Sequence, residues 1–283
     1  MTLLAVFDSH GDWQVRVVPN KFPVVTCEAS LAHPVAEAPP IQPAQPALGG
    51  HEIVIESPRH VRDITQLTLD EFTSVLKVFR ARLEHWAQDG RIEHVTLTKN
   101  VGYAAGASLE HAHSHLIALP FVPSAVVEEL QGARRYFSDH QACIFCRLLE
   151  KEIDKGVRLV AEEGPFVAFC AYAGRQPYET WILPTTHSAH YTQLSDDDAV
   201  PLAKILQKTL SQLQSRLTPL SYNLIFHTAP FDRGANPIDA SCFHWHCELV
   251  PRTTQLAGFE WGAAVNINPV APERAAAFLR GAR

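Results

Sequence analysis

Three histidines at alternate positions, His111-Ala112-His113-Ser114-His115, run into the apolar stretch Leu116-Ile117-Ala118-Leu119. In an extended strand successive side chains point to opposite faces, so imidazoles spaced by two form one row with steps of about 6.5–7 Å. Neutral imidazole binds transition metals, exchanges protons near neutral pH and can attack phosphorus, so three in a row can divide those tasks. A second reactive pair, Cys143-Ile144-Phe145-Cys146, has the two-residue spacing of a metal knuckle or a redox motif. A redox pair calls for a thioredoxin-like strand before it, which Asp139-His140-Gln141 does not supply, so metal binding is favoured. Cys27, Cys170, Cys242 and Cys247 stand alone and are expected to pack as small apolar groups.

The elements that must position these groups occur twice. Strand-like Glu52-Ile53-Val54-Ile55-Glu56 leads to His60, and Glu179-Thr180-Trp181-Ile182-Leu183 leads to His187. Eight residues beyond each histidine stands a helix cap, Thr68 with Glu71 placed for a capping box, and Ser195 followed by three aspartates. The apolar faces are Leu69, Phe72, Val75, Leu76, Phe79, Leu83 and Trp86 in the first helix and Leu202, Ile205, Leu206, Leu210, Leu213 and Leu217 in the second. A strand then follows each helix, 94–98 and 222–226, and each half closes on a histidine strand, 111–115 or 244–250. Internal duplication accounts for the pattern, with the division near residues 136–142. Residues 29–50, with five prolines and the Gly49-Gly50 end, read as a loop joining two strands of the first half.

Composition excludes several classes. The chain of 283 residues is 46% hydrophobic and 19% charged, ordinary for a globular protein, and its net charge of −6 argues against a nucleic-acid-binding surface. No apolar stretch reaches membrane-spanning length and the first residues lack a signal-peptide pattern, so a cytoplasmic protein without a membrane partner is expected.

Asn100, Gly106, Ser108, His111 and His113, together with Phe243-His244-Trp245-His246, Pro251-Arg252, Gly258-Phe259-Glu260 and Asn266-Ile267-Asn268-Pro269, resemble the galactose-1-phosphate uridylyltransferase family. The resemblance runs from about Val15 to Arg280. It implies an α+β fold of two tandem histidine-triad-like domains, 1–138 carrying the nucleophile and 139–283 carrying a zinc site and a sugar-phosphate segment. Each would be a mainly antiparallel sheet with packed helices. It also implies ping-pong chemistry: His113 attacks the α-phosphorus of UDP-glucose, and the nucleotidyl-histidine passes UMP to galactose 1-phosphate. Ser108 and the small-residue stretch Gly102–Ala107 would lie near the phosphates, Asn20, Asn100 and Gly106 around the nucleotide, and Phe259, Glu260 and Asn266 on the sugar-phosphate side. A homodimer is the expected assembly.

The same resemblance implies Zn²⁺ bound by Cys143, Cys146, His187 and His244, a Cys2His2 set of the kind found in closed structural sites. A weaker alternative combines Glu129, His227, His244 and His246. A knuckle before Val15 would complete a first-half site with His60 and His111, but residues 1–14 hold no cysteine. Either that site is lost, leaving hydrogen-bonded histidines, or the chain begins late. His115 stands where the transferases carry glutamine, and histidine there is the pattern of triad hydrolases. A phosphorylase or hydrolase acting on ADP-glucose or a dinucleoside polyphosphate through the same His113 is therefore an alternative, and a zinc-stabilised nucleotide-binding protein without turnover is a third.

Overall fold

The computed structural model describes residues 2–27, 47–233 and 240–281. The first half runs β1 (Leu4–Phe7), β2 (Trp13–Pro19), β3 (Gly50–Ile55), α1 (Leu69–Ala87), β4 (His94–Val101) and β5 (His113–Leu119). Two helices follow, α2 (Ser124–His140) and α3 (Ile144–Lys155). The second half is β6 (Leu159–Glu163), β7 (Phe166–Cys170), β8 (Thr180–Pro184), α4 (Asp196–Arg216), β9 (Tyr222–His227) and β10 (His246–Pro251), with α5 (Gly258–Ala263) and α6 (Pro272–Leu279) after it.

The ten strands form one sheet in the order β1-β2-β3-β5-β4-β9-β10-β8-β7-β6. Each half contributes five strands in mirrored order, and β4 pairs antiparallel with β9 at the centre, bringing Asn100 opposite Asn223. The duplication thus yields two half-sheets fused edge to edge, which removes two strand edges that separate domains would expose. The expected division at 138/139 falls in the last turn of α2. Of the expected loop at 29–50, residues 28–46 lie outside the described residues; the strands it joins, β2 and β3, pair antiparallel.

Thr68 and Ser195 cap their helices. Thr68 accepts from the Glu71 amide at 3.2 Å while the Glu71 carboxylate accepts from the Thr68 amide at 2.7 Å. Ser195 accepts from the Asp198 amide at 3.0 Å, and three aspartates in the first turn suit the positive end of the helix dipole. Phe72, Leu76, Leu83, Leu202, Leu206 and Leu210 are all buried, so α1 and α4 cover one face of the sheet with a shared core. On the other face, α2 and α3 pack Leu130, Phe145 and Leu149 against Val167, Phe169 and Leu183 and cover only the second half. No helix among the described residues is long and apolar enough to cross a membrane.

Candidate active site and metal centre

β5 begins at His113, not at His111, so the row of three is two plus one. His113 and His115 share the open face with ring centroids 5.1 Å apart. His111 turns away to His60 at 5.6 Å, and its Nε2–H donates to the Ser57 carbonyl at 2.8 Å. The backbone leaves the extended conformation before the strand and so breaks the alternation on which a single row depended.

His113 donates Nδ1–H to the carbonyl of His111 at 2.7 Å. A neutral imidazole with its proton on Nδ1 carries its lone pair on Nε2, the state a nucleophile requires. The strand carrying it is anchored from the helix-covered side. Lys99 donates to Glu56 at 2.8 Å and to the carbonyl of His113 at 3.2 Å, while Ser114 donates to the other Glu56 oxygen at 2.6 Å.

A cavity of about 420 Å³ opens beside His113, lined also by Asn100, Gly102, Tyr103, Ser108, His111 and Arg62. Gly102 has φ +83°, and a β-carbon there would lie 2.2 Å from Ser221 Oγ, so both conformation and space require glycine. Gly106, φ +82°, ends the short 3-10 turn of Tyr103–Ala105. The amides of Ala105, Gly106 and Ala107 donate to Gly102 and Tyr103 carbonyls inside this turn. The stretch therefore shapes the wall beside His113, and these three amides are engaged inside the turn. Asn100 accepts from Asn223 at 2.7 Å across the central strand pair.

Asn20 lies against His51, its amide nitrogen 3.0 Å from His51 Nε2. His51 is 3.1 Å from His115, a partner the sequence reading missed. Lys99 and Glu56 were missed as well; a lysine on the strand face otherwise formed by Val95, Leu97 and Val101 was their only signal. Asn266 lines a separate cavity of about 140 Å³ with Arg175, Asn223 and Arg252. Phe259 is 58% exposed, Glu260 accepts from the Ala257 amide at 3.0 Å, and neither lines the His113 cavity.

Cys143, Cys146, His187 and His244 come together with one potential ligand atom each, all within 4.8 Å of one another. Tetrahedral bonds of about 2.3 Å to sulfur and about 2.0–2.1 Å to nitrogen place sulfur and nitrogen about 3.5 Å apart. Cys146 Sγ lies 3.3 Å from His187 Nδ1 and 3.5 Å from His244 Nδ1, so the spacing fits such an ion. His187 donates Nε2–H to the Ala240 carbonyl at 2.9 Å, which leaves Nδ1 as its free ligand atom. Cys143 is the N-cap of α3, and its thiol is pulled well below the usual range by the hydrogen bond with Cys146, which is pushed up in turn. Binding a metal there would displace the thiol protons.

The alternative metal set does not include His244. Glu129, His227 and His246 group together without it. Glu129 is 3.0 Å from His227 Nδ1, Glu248 is 3.2 Å from Nε2, and the two imidazoles stack at 4.6 Å. Burial opposes a charge on His227, but the two carboxylates outweigh it and raise its pKa to about 10. Glu248 is held down at about 2 against its own burial by His227 and Arg175. The carboxylates and the His227 ring pair with one another, while the buried Nε2 of His246 has no hydrogen-bond partner and belongs to the group of three that could hold a metal ion.

A sheet built from two like halves, each with a histidine strand, defines a duplicated α+β enzyme class. The chain belongs to the galactose-1-phosphate uridyl transferase family, matching its N-terminal domain over residues 10–123 and its C-terminal domain over 129–264. It is similar to ADP-glucose phosphorylase of Arabidopsis thaliana, 31% identical over 98% of this chain and 77% of the relative. It is also similar to galactose-1-phosphate uridylyltransferase of Thermotoga maritima, 26% identical over 93% of this chain and 86% of the relative. The solved structure of the Arabidopsis thaliana phosphorylase with bound ADP-glucose superposes with a TM-score of 0.87 at 30% identity, covering 100% of this chain and 86% of that one.

Proposed function

We propose that this protein transfers a nucleoside monophosphate from a nucleoside diphosphate hexose by way of a covalent bond to His113. Nε2 of His113 attacks the α-phosphorus, the P–O bond to the hexose phosphate breaks, and hexose 1-phosphate leaves. A phosphate oxygen of the acceptor, inorganic phosphate or a hexose 1-phosphate, then attacks the same phosphorus, the P–N bond breaks and the imidazole is freed. The observation that carries this reading is the His113 Nδ1–H bond to the His111 carbonyl at 2.7 Å, which leaves Nε2 nucleophilic beside the cavity.

Two donor and acceptor pairs suit the site. The similarity to ADP-glucose phosphorylase over nearly the whole chain favours ADP-glucose with inorganic phosphate, giving ADP and glucose 1-phosphate. Transfer of UMP from UDP-glucose to galactose 1-phosphate is the second reading, supported by both family matches. Zn²⁺ held by Cys143, Cys146, His187 and His244 would be structural, since four protein ligands leave no position for substrate. Phe259 and Trp261 are exposed and outside the His113 cavity, which suits a segment that supplies sugar-phosphate contacts to a second copy in a homodimer.

Incubation with ADP-glucose or UDP-glucose alone should add one AMP or UMP by intact mass, and His113→Gly should add none while keeping its fold. Phosphate or galactose 1-phosphate supplied afterwards should discharge the adduct and identify the acceptor. A folded His113→Gly protein with wild-type turnover would sink the mechanism.

A further inference from the structure

The hydrogen bonds around His51 fix where its proton lies. The backbone amide of Val24 donates to His51 Nδ1 at 3.2 Å, and a neutral imidazole that accepts at one nitrogen carries its proton on the other. His51 Nε2–H therefore donates to Nδ1 of His115, 3.1 Å away. One ring further the same rule applies: accepting at Nδ1, His115 carries its proton on Nε2. The Asn20 amide nitrogen, 3.0 Å from His51 Nε2 and 3.4 Å from Nδ1, is too evenly spaced from the two to lie on the in-plane lone pair of either. The backbone amide, which cannot rotate, decides the tautomer.

Both rings are neutral near pH 7. Burial lowers His51, and burial followed by the charges of His113, His51 and Lys99 pushes His115 down to about 4. The relay is also rigid. His51 sits in β3, which pairs with β5 so that Ile53 faces His115, and the next residue, Glu52, is tied to Arg82 at 2.9 Å and to Trp86 at 3.1 Å.

We infer that His51 is a positioning residue for nucleotidyl transfer, holding His115 in the tautomer that presents Nε2–H beside His113 as a hydrogen-bond donor to a phosphoryl oxygen. The inference rests on the reading of His113 as nucleophile. The opposite tautomer would turn a lone pair toward an anionic oxygen and repel it. A glutamine at position 115 meets the same demand, since its side-chain oxygen accepts from His51 and its amide donates onward.

The test measures the rate of adduct formation at His113 with ADP-glucose and UDP-glucose, in the full chain, with the unfolding midpoint as a check on folding. His51→Leu should slow the adduct on the order of 10²-fold, the low end for one positioned acid–base group. His51→Gln should restore the rate, because its oxygen accepts from Val24 and its amide donates to His115. His51→Leu combined with His115→Leu should be no slower than His115→Leu alone. An unchanged rate in His51→Leu, or losses that multiply in the double variant, would overturn the inference. Long-range proton–nitrogen NMR reads the tautomer without turnover: a proton on Nδ1 of His115 overturns the inference even if the adduct forms. A wild-type protein that forms no adduct refutes the nucleophile reading, and the tautomer still decides whether His51 holds His115 as described.

Discussion

Lys99→Met isolates the charge beneath the nucleophile strand. The Lys99 and Glu56 side chains are 2% and 0% exposed, and their charges meet at 2.8 Å. Methionine keeps most of the stem but leaves the Glu56 carboxylate with Ser114 as its remaining hydrogen-bond donor here. Removing one member of a buried ion pair costs about 3–5 kcal/mol. The lost bond from Lys99 to the His113 carbonyl adds about 0.5–1.5 kcal/mol. The expected destabilisation is about 4–6 kcal/mol, a fall of roughly 10–20 °C in Tm at about 2–4 °C per kcal/mol.

Adding Glu56→Gln removes the stranded charge and keeps an oxygen for Ser114, so the double variant should recover most of the loss. Urea unfolding followed by circular dichroism near neutral pH measures both. A Lys99→Met protein within about 1 kcal/mol of wild type, the ordinary range for a point substitution, would refute the reasoning. So would a double variant no more stable than the single one. The anchored carbonyl belongs to His113 itself, so the adduct rate should fall with stability in Lys99→Met.

Cys143→Ser should lower zinc content and unfolding midpoint together, because ligation is coupled to folding; full zinc occupancy in the variant would show that the site lies elsewhere. His94, 3% exposed, is pushed down to about 4 by burial, followed by the charge of His227. A depressed folded-state pKa gives stability present above the unfolded value of about 6.5 and lost as pH falls toward 4, about 2 kcal/mol of it by about pH 5. His94→Phe should flatten that decline in a urea series, and parallel wild-type and variant curves would contradict it.

Much of this fold is legible from repeated local chemistry. Thr68 and Ser195 are caps by residue type, and their helices bury the leucine and phenylalanine faces that the periodicity marks. Beside the Cys143 and Cys146 knuckle, His187 is marked by its place eight residues before a cap, as His60 is, and His244 by opening the histidine strand of its half, as His111 does; the four come together in the fold. What was not legible depends on strand neighbours. His51 reaches His115 across 64 residues and Glu56 reaches Lys99 across 43, and neither separation leaves a periodic trace. The fusion of two half-sheets through β4 and β9 is likewise a matter of pairing, which side-chain alternation does not specify.

The duplication also shows why one half is expected to react and the other is not. His246 occupies in β10 the place of His113 in β5, and each donates Nδ1–H to the carbonyl two residues earlier, at 3.0 Å and 2.7 Å. Tautomer therefore does not distinguish them. Access does: His113 borders an open cavity, while His246 is fully buried, stacked on Trp181 at 4.9 Å and on His227 at 4.6 Å. Its Nε2 lies 3.4 Å from Glu129 of α2. A lone pair held there has no room for a phosphorus atom. The segment that forms α2 and α3, folded over the second half alone, thus turns one of two like histidine strands into a packed polar network. It leaves the other strand open to the cavity beside His113.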